Sequence, residues 1–166
     1  MIKTAVLTMS DKGSRGERTD LTGPAIMELI KESGYSIEYY KVIPDDFDTI
    51  VKELTYLCDD LKVELVLTNG GTGFSKRDVT PEATEKVMER RAPGVAEAMR
   101  VKSLQITPKA MLSRAVAGIR GGTLIVNLPG SPKGSKENLE FIMPALPHGI
   151  DILTGKASEC AEKSEK

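Results

Sequence analysis

Apolar and polar positions along this chain switch repeatedly between a two-residue and a 3.6-residue period. Thr4–Met9 is a short β-prone run that ends in polar residues, and it reads as a buried first strand. Ser10–Thr22 is rich in Gly, Ser and charge and reads as a long loop, the kind of segment that often carries function in compact domains. Pro24 opens a helix with Ala25, Ile26, Leu29 and Ile30 on one face, and Gly34 closes it. Ser36–Val42 alternates through Ile37 and Tyr39 as a second strand. Pro44-Asp45-Asp46 is a turn with cap character. Phe47, Ile50, Val51, Leu54, Leu57 and Cys58 then recur at helical spacing, the clearest amphipathic helix in the chain.

A third buried strand starts at Leu65 and runs into Asn69-Gly70-Gly71-Thr72-Gly73, followed by Arg77-Asp78 and a helix start at Thr80-Pro81-Glu82. Thr80 suits the N-cap, Pro81 the first helical position, and Glu82 the positive helix end. The helix is expected over Pro81–Arg91; Pro93-Gly94 breaks it and another helix covers Val95–Ser103. Met111–Val116 fits either helix or strand. Gly121-Gly122 leads into a strand over Thr123–Leu128, which ends at Asn127-Leu128-Pro129-Gly130-Ser131-Pro132. A last long helix carries Leu139, Ile142, Met143 and Leu146, with a second short helix around Ile150–Leu153. This alternation implies right-handed crossovers and a mostly parallel sheet covered on both faces. Ligands in such sheets bind outside the carboxyl ends of the strands, so Ser10–Gly23, Pro44–Asp46, Asn69–Asp78 and Asn127–Gly134 are expected at one rim. Residues 1–156 read as a single domain and residues 157–166 as a charged tail.

Composition narrows the function classes. The formal net charge is −1, which gives no field for nucleic acid or an anionic membrane. Aromatic residues make up 4% of the chain and Trp is absent, so a single-strand binder would lack stacking platforms. Cys58 and Cys160 have no partner spacing and read as unpaired thiols of a reducing cytosol. Ala5–Met9 is too short for a signal sequence or a membrane span, so a cytoplasmic location is expected.

Any anionic ligand must therefore be gripped locally, and the glycine loop is suited to that. Three glycines in four residues let main-chain N–H groups approach a ligand closely, and such a concavity at a strand's carboxyl end favours phosphate. A tight turn would account for one glycine but poorly for three. The loop is not a Walker A motif, because no Ser or Thr follows Lys76, and it is not a dinucleotide fingerprint, because Gly71-Thr72-Gly73 lacks the third glycine. Asp78 beside an anion site would repel phosphate unless a Mg²⁺ bridged carboxylate and phosphate oxygens.

Gly70-Gly71-Thr72-Gly73 followed by Arg77-Asp78-Val79-Thr80-Pro81-Glu82-Ala83 resembles the signature of the MogA/MoaB molybdenum-cofactor biosynthesis family, which includes the G domain of gephyrin. Thr8-Met9-Ser10-Asp11, Leu112-Ser113-Arg114 and Asn127-Leu128-Pro129-Gly130-Ser131-Pro132 resemble three further segments of that family, in order, over about residues 3 to 155. The resemblance implies a three-layer α/β/α sandwich, usually homotrimeric. Its MogA branch implies a molybdopterin adenylyltransferase that uses Mg-ATP, releases pyrophosphate and hands its product to a partner insertase. Arg77-Asp78-Val79-Thr80 and Ile43-Pro44-Asp45-Asp46 resemble the MogA pattern; the alternative is a MoaB-type protein that binds molybdopterin without transferring AMP.

The resemblance and the residues together supply a candidate site. Asp45 and Asp78 are the candidate catalytic pair and Mg²⁺ ligands, with Asp46 expected to cap the helix that starts near Phe47. Gly70, Gly71, Thr72 and Gly73 would hold phosphate. Ser10, Asp11 and Asp20 in the first rim loop could contact nucleotide or pterin, or serve as caps and turns. Pro129, Gly130 and Ser131 form a second small-residue rim, and either rim could take adenine while the other takes the pterin. Ser113 could supply a hydroxyl. Arg114 could supply a charge or pair with a neighbouring acid, and Arg77 could neutralise phosphate. Lys76 fits phosphate contact and plain surface charge equally, and His148 reads as structural.

Overall fold

In a computed structural model, residues 1–157 are described. The expected tail from residue 158 onward, with Cys160, lies outside them. The elements in chain order are β1 (Ile2–Met9), α1 (Asp11–Ser14), α2 (Thr22–Lys31), β2 (Tyr35–Ile43), α3 (Phe47–Asp59), β3 (Leu65–Asn69), α4 (Thr80–Val87), β4 (Arg90–Arg91), α5 (Pro93–Leu104), a 3-10 turn (Pro108–Leu112), β5 (Ala117–Arg120), β6 (Thr123–Leu128), α6 (Pro132–Ile142) and α7 (Leu146–Leu153).

The sheet runs in the order β2-β1-β3-β6-β5-β4. The first four strands are parallel, while β5 pairs antiparallel with β6 and β4 antiparallel with β5. Side chains alternate across the sheet and create two cores. Val6, Leu65, Leu67, Val126 and Leu128 pack with Ile26 and Ile30 of α2, Met99 of α5, Leu139 of α6 and Ile150 of α7. Ala5, Leu7, Val66 and Ile125 pack on the other face with Ile50, Leu54 and Leu57 of α3 and Val87 of α4. Burying one such aliphatic side chain contributes about 1.5–3 kcal/mol, so the apolar stripe of α3 alone anchors that layer firmly. The result is the three-layer sandwich that the pattern and the resemblance implied.

Several boundaries differ from the expectations. The helix expected over Pro81–Arg91 stops at Val87: Met88 turns extended, Glu89 N–H donates to the Ile119 carbonyl, and Arg90-Arg91 become an edge strand on β5. Gly118 makes this possible, since a Cβ there would lie 2.1 Å from Met88 Sδ. Thr80 is the first residue of α4 rather than its cap; Val79 holds the cap position without a side-chain bond, and the buried Thr80 hydroxyl has no partner among the described residues. The long first loop contains the one-turn α1, capped by Ser10, and the helix expected from Pro24 starts at Thr22. The ambiguous Met111–Val116 stretch ends the 3-10 turn and leads into β5, which forms a hairpin with β6 through Gly121-Gly122. The last long helix divides at Met143–Ala145 into α6 and α7.

The strand ends are level: Met9 pairs with Ile43, Thr8 with Asn69, and Asn69 with Leu128. All four expected rim loops therefore leave the sheet on one side. The chain goes outward from β1 to β2, then returns past β1 to β3 and on to β6, so the strand order reverses between β1 and β3. That switch point is where a crevice opens in sheets of this kind.

Candidate functional site

The glycine loop leaves β3 at the switch point with little room to spare. Gly70 and Gly71 have φ of +91° and +65°, a region that side chains disfavour. A Cβ on Gly70 would lie 2.5 Å from the Met9 carbonyl, and one on Gly71 would lie 2.3 Å from the Thr80 hydroxyl. The loop's carbonyls are turned into the protein: Gly71 accepts from Thr80 N–H at 3.2 Å and Thr72 from Arg114 N–H at 2.9 Å. Gly73 accepts from Arg114 Nε at 2.7 Å. No hydrogen bond from the described residues engages the N–H groups of Gly71, Thr72 and Gly73. This division of donors and acceptors is what a main-chain anion cradle requires.

Two carboxylates approach the loop. A Cβ on Gly71 would stand 3.1 Å from Asp45 Oδ1, and one on Gly73 would stand 2.9 Å from Asp78 Oδ2. Asp78 Oδ2 accepts from Ser75 N–H at 3.0 Å, which folds the loop back on itself. Asp45 Oδ2 accepts from Asp11 N–H at 3.0 Å. Burial pushes the Asp45 carboxyl above its ordinary value, and the neighbouring Asp11 and Asp78 charges act in the same direction; the Asp11 N–H bond and Arg77 oppose them without prevailing. Among the described residues no group of three or more His, Cys, Asp or Glu side chains is arranged to hold a metal. Two carboxylates beside a phosphate cradle nevertheless suit Mg²⁺, which usually takes one or two carboxylates plus substrate phosphates and water.

The candidate residues divide between two cavities separated by the glycine loop. Ser10, Asp20, Asp45, Gly70, Gly71, Asp78 and Gly130 line one of about 540 Å³. Thr72, Gly73, Ser113, Pro129 and Ser131 line another of about 330 Å³, walled by Ala96 and Met99 of α5 and by Leu112. Asp11, Arg77 and Arg114 line neither; Asp11 and Arg77 lie at the edge beside Asp45.

Several of these side chains also have structural partners. Ser10 Oγ caps α1 by accepting from Gly13 N–H, Ser131 Oγ caps α6 by accepting from Gly134 N–H, and Asp46 caps α3 as expected. Asp20 accepts from Thr8 Oγ1 at 2.6 Å, from Tyr40 OH at 2.7 Å and from the N–H groups of Thr22 and Gly23. Burial pushes its carboxyl up, yet those four donors outweigh it and hold the group below its ordinary value. Arg114 donates to the Gly73 and Asp78 carbonyls, each at 2.7 Å, and pairs with Glu82, the neighbouring acid. His148 lies exposed on α7 and Lys76 exposed in the loop.

Sequence reasoning missed the polar residues buried beneath the rim. Asn69 Nδ2 donates to Thr8 Oγ1 at 2.9 Å and so extends the Asp20 network. Asn127 Nδ2 donates to Thr68 and Thr84, at 2.9 and 3.0 Å, and its Oδ1 accepts from Val116 N–H. The available signal was a short polar residue at the carboxyl end of an otherwise apolar strand run, as at Thr8, Asn69 and Asn127.

These features define a mostly parallel α/β domain with a glycine loop at its switch point and an acidic pair beside it. Residues 5–148 match the family model described as a probable molybdopterin binding domain, and the chain belongs to that molybdenum-cofactor biosynthesis family. It is 45% identical to the molybdopterin adenylyltransferase of Helicobacter pylori (strain ATCC 700392 / 26695), over 98% of this chain and 94% of that one. It is also 45% identical to gephyrin of Dictyostelium discoideum, over 97% of this chain and 24% of that larger protein. Among solved structures, the molybdopterin biosynthesis enzyme MoaB of Thermus thermophilus superposes with a TM-score of 0.89 at 50% identity, covering 93% of this chain and 98% of the other.

Proposed function

We propose that this protein is a molybdopterin adenylyltransferase, transferring AMP from ATP to molybdopterin with release of pyrophosphate. The observation that carries this reading is the convergence of Asp45 and Asp78, from two different rim loops, on a glycine loop whose carbonyls face inward and whose Gly71, Thr72 and Gly73 amides remain available. The relatives named for this activity match nearly the whole chain and support it.

No side-chain nucleophile is needed, because the terminal phosphate of molybdopterin can itself attack the α-phosphorus of ATP, with pyrophosphate as the leaving group. Alignment and electrostatic stabilisation then supply most of the rate. Gly71, Thr72 and Gly73 would hold phosphate oxygens through main-chain N–H groups; the Gly70 N–H, also expected to do so, is instead donated to the Leu128 carbonyl at 3.3 Å, so Gly70 serves the turn. Asp45 and Asp78 would hold Mg²⁺, which when bound offsets phosphate charge. Ser10 and Gly130 would border one substrate, and Ser113, Pro129 and Ser131 the other. Asp20 and Arg114 would shape these walls through the bonds described above.

Incubation of the purified protein with molybdopterin, ATP and Mg²⁺ should release pyrophosphate and yield an AMP–molybdopterin adduct. Tight pterin binding without pyrophosphate would support the MoaB-type scaffold instead. We also infer a homotrimer that passes its product to an insertase in the cytoplasm, which rests on family resemblance. Val101, Ile106 and Met111, left exposed by α5 and the 3-10 turn, offer apolar surface for contacts between copies. A monomer at micromolar concentration by light scattering would refute the trimer. Among the described residues no helix is long and apolar enough to cross a membrane.

A further inference from the structure

Asp45 and Asp78 sit on different loops, so something must fix their separation. The hydrogen bonds that join those loops run through Asp11. Asp11 and Asp45 exchange bonds reciprocally: Asp11 N–H donates to Asp45 Oδ2, and Asp45 N–H donates to Asp11 Oδ1, each at 3.0 Å. Arg77 then closes on the same Asp11 carboxylate with two bonds, Nε to Oδ2 at 3.0 Å and Nη2 to Oδ1 at 2.9 Å. Arg77 is the residue before Asp78, whose own carboxylate is tied to Ser75 N–H. A continuous strap therefore runs from Asp78 through Arg77 and Asp11 to Asp45, joining the loops after β3, β1 and β2.

We propose that Arg77 and Asp11 are positioning residues that set Asp45 against Asp78, and that Arg77 does not serve as a phosphate contact. This rests on the reading of Asp45 and Asp78 as the reactive pair. A planar guanidinium bonded twice to one carboxylate fixes direction as well as distance, which a lysine ammonium cannot reproduce. The Nε–Nη2 edge of Arg77 is committed to Asp11, and the Arg77 side chain lines neither of the two cavities. The Arg77 side chain is 61% exposed, so the pair adds little to global stability and its effect should be local.

The test has two arms on the full-length protein. In the absence of any substrate or metal, Arg77→Ala should speed amide hydrogen exchange at Asp11 and Asp45 by about tenfold while Ile50 and Leu54 of α3 keep their rates. In the adenylyl-transfer assay, Arg77→Lys and Asp11→Asn should each lower kcat by about tenfold with the KM for ATP within roughly twofold, and the double variant should be no worse than the poorer single. Unchanged exchange at Asp11 and Asp45 would overturn the strap, and so would a raised KM for ATP at full kcat, the signature of a phosphate contact. If Asp45→Asn were fully active, the reading of the reactive pair would fall, while the exchange arm would still decide whether Arg77 holds Asp45.

Discussion

The Arg114 guanidinium donates through Nε to the Gly73 carbonyl at 2.7 Å, clamping the end of the glycine loop from the far side of the cradle. The same side chain reaches the Asp78 carbonyl and the Glu82 carboxylate, so one residue holds both the loop and the start of α4. Arg114→Ala should therefore lower stability by about 1–2 kcal/mol, because it leaves partly buried carbonyls unpaired. It should also lower turnover by at least about tenfold through misplacement of the loop amides. Urea unfolding and steady-state kinetics check the two halves separately.

The two positive-φ glycines of the loop are not equivalent to those elsewhere. Gly71→Ala would drive a Cβ to 2.3 Å from the Thr80 hydroxyl, beside Asp45, so both stability and turnover should fall, the latter by about a hundredfold. Gly121 in the β5–β6 hairpin also has positive φ but meets nothing within 4 Å. Gly121→Ala should cost about 1 kcal/mol and leave turnover intact. Thermal melts and assays on the pair separate backbone strain from site geometry.

Asp45 carries a stability cost that follows from its burial beside two other carboxylates. Its carboxyl is raised by burial and by the neighbouring Asp11 and Asp78 charges, so its ionised form disfavours the native state at pH values above its titration. Asp45→Asn keeps an oxygen for the Asp11 N–H bond and removes the charge. The variant should melt above the wild type at neutral pH. That gain should disappear as pH falls through the Asp45 titration, where the wild-type group is neutral too. Melting curves across pH check the sign, and a variant less stable at neutral pH would contradict it.

The apolar stripe Ile50, Leu54 and Leu57 and the buried run Leu65–Leu67 made α3 and β3 legible in the sequence, because their periods reflect burial directly. The edge was not legible. Arg90 and Arg91 have no strand character of their own and are extended only because β5 offers hydrogen-bond partners, a long-range condition that periodicity does not carry. The site followed the same division. Gly70, Gly71, Asp45 and Asp78 could be singled out because their chemistry is local. That Asp20 is saturated by Thr8, Tyr40 and two main-chain N–H groups, and that Arg114 faces carbonyls, depended on contacts across the fold.

The Asp78 carboxylate beside Gly73 is expected to promote AMP transfer rather than pterin capture. The most direct measurement compares pyrophosphate release and molybdopterin affinity for wild type and Asp78→Asn under saturating ATP and Mg²⁺. Turnover should fall by roughly two to three orders of magnitude, comparable to loss of a key electrostatic stabiliser, with pterin affinity nearly unchanged. Near-normal pyrophosphate release by Asp78→Asn would contradict the account.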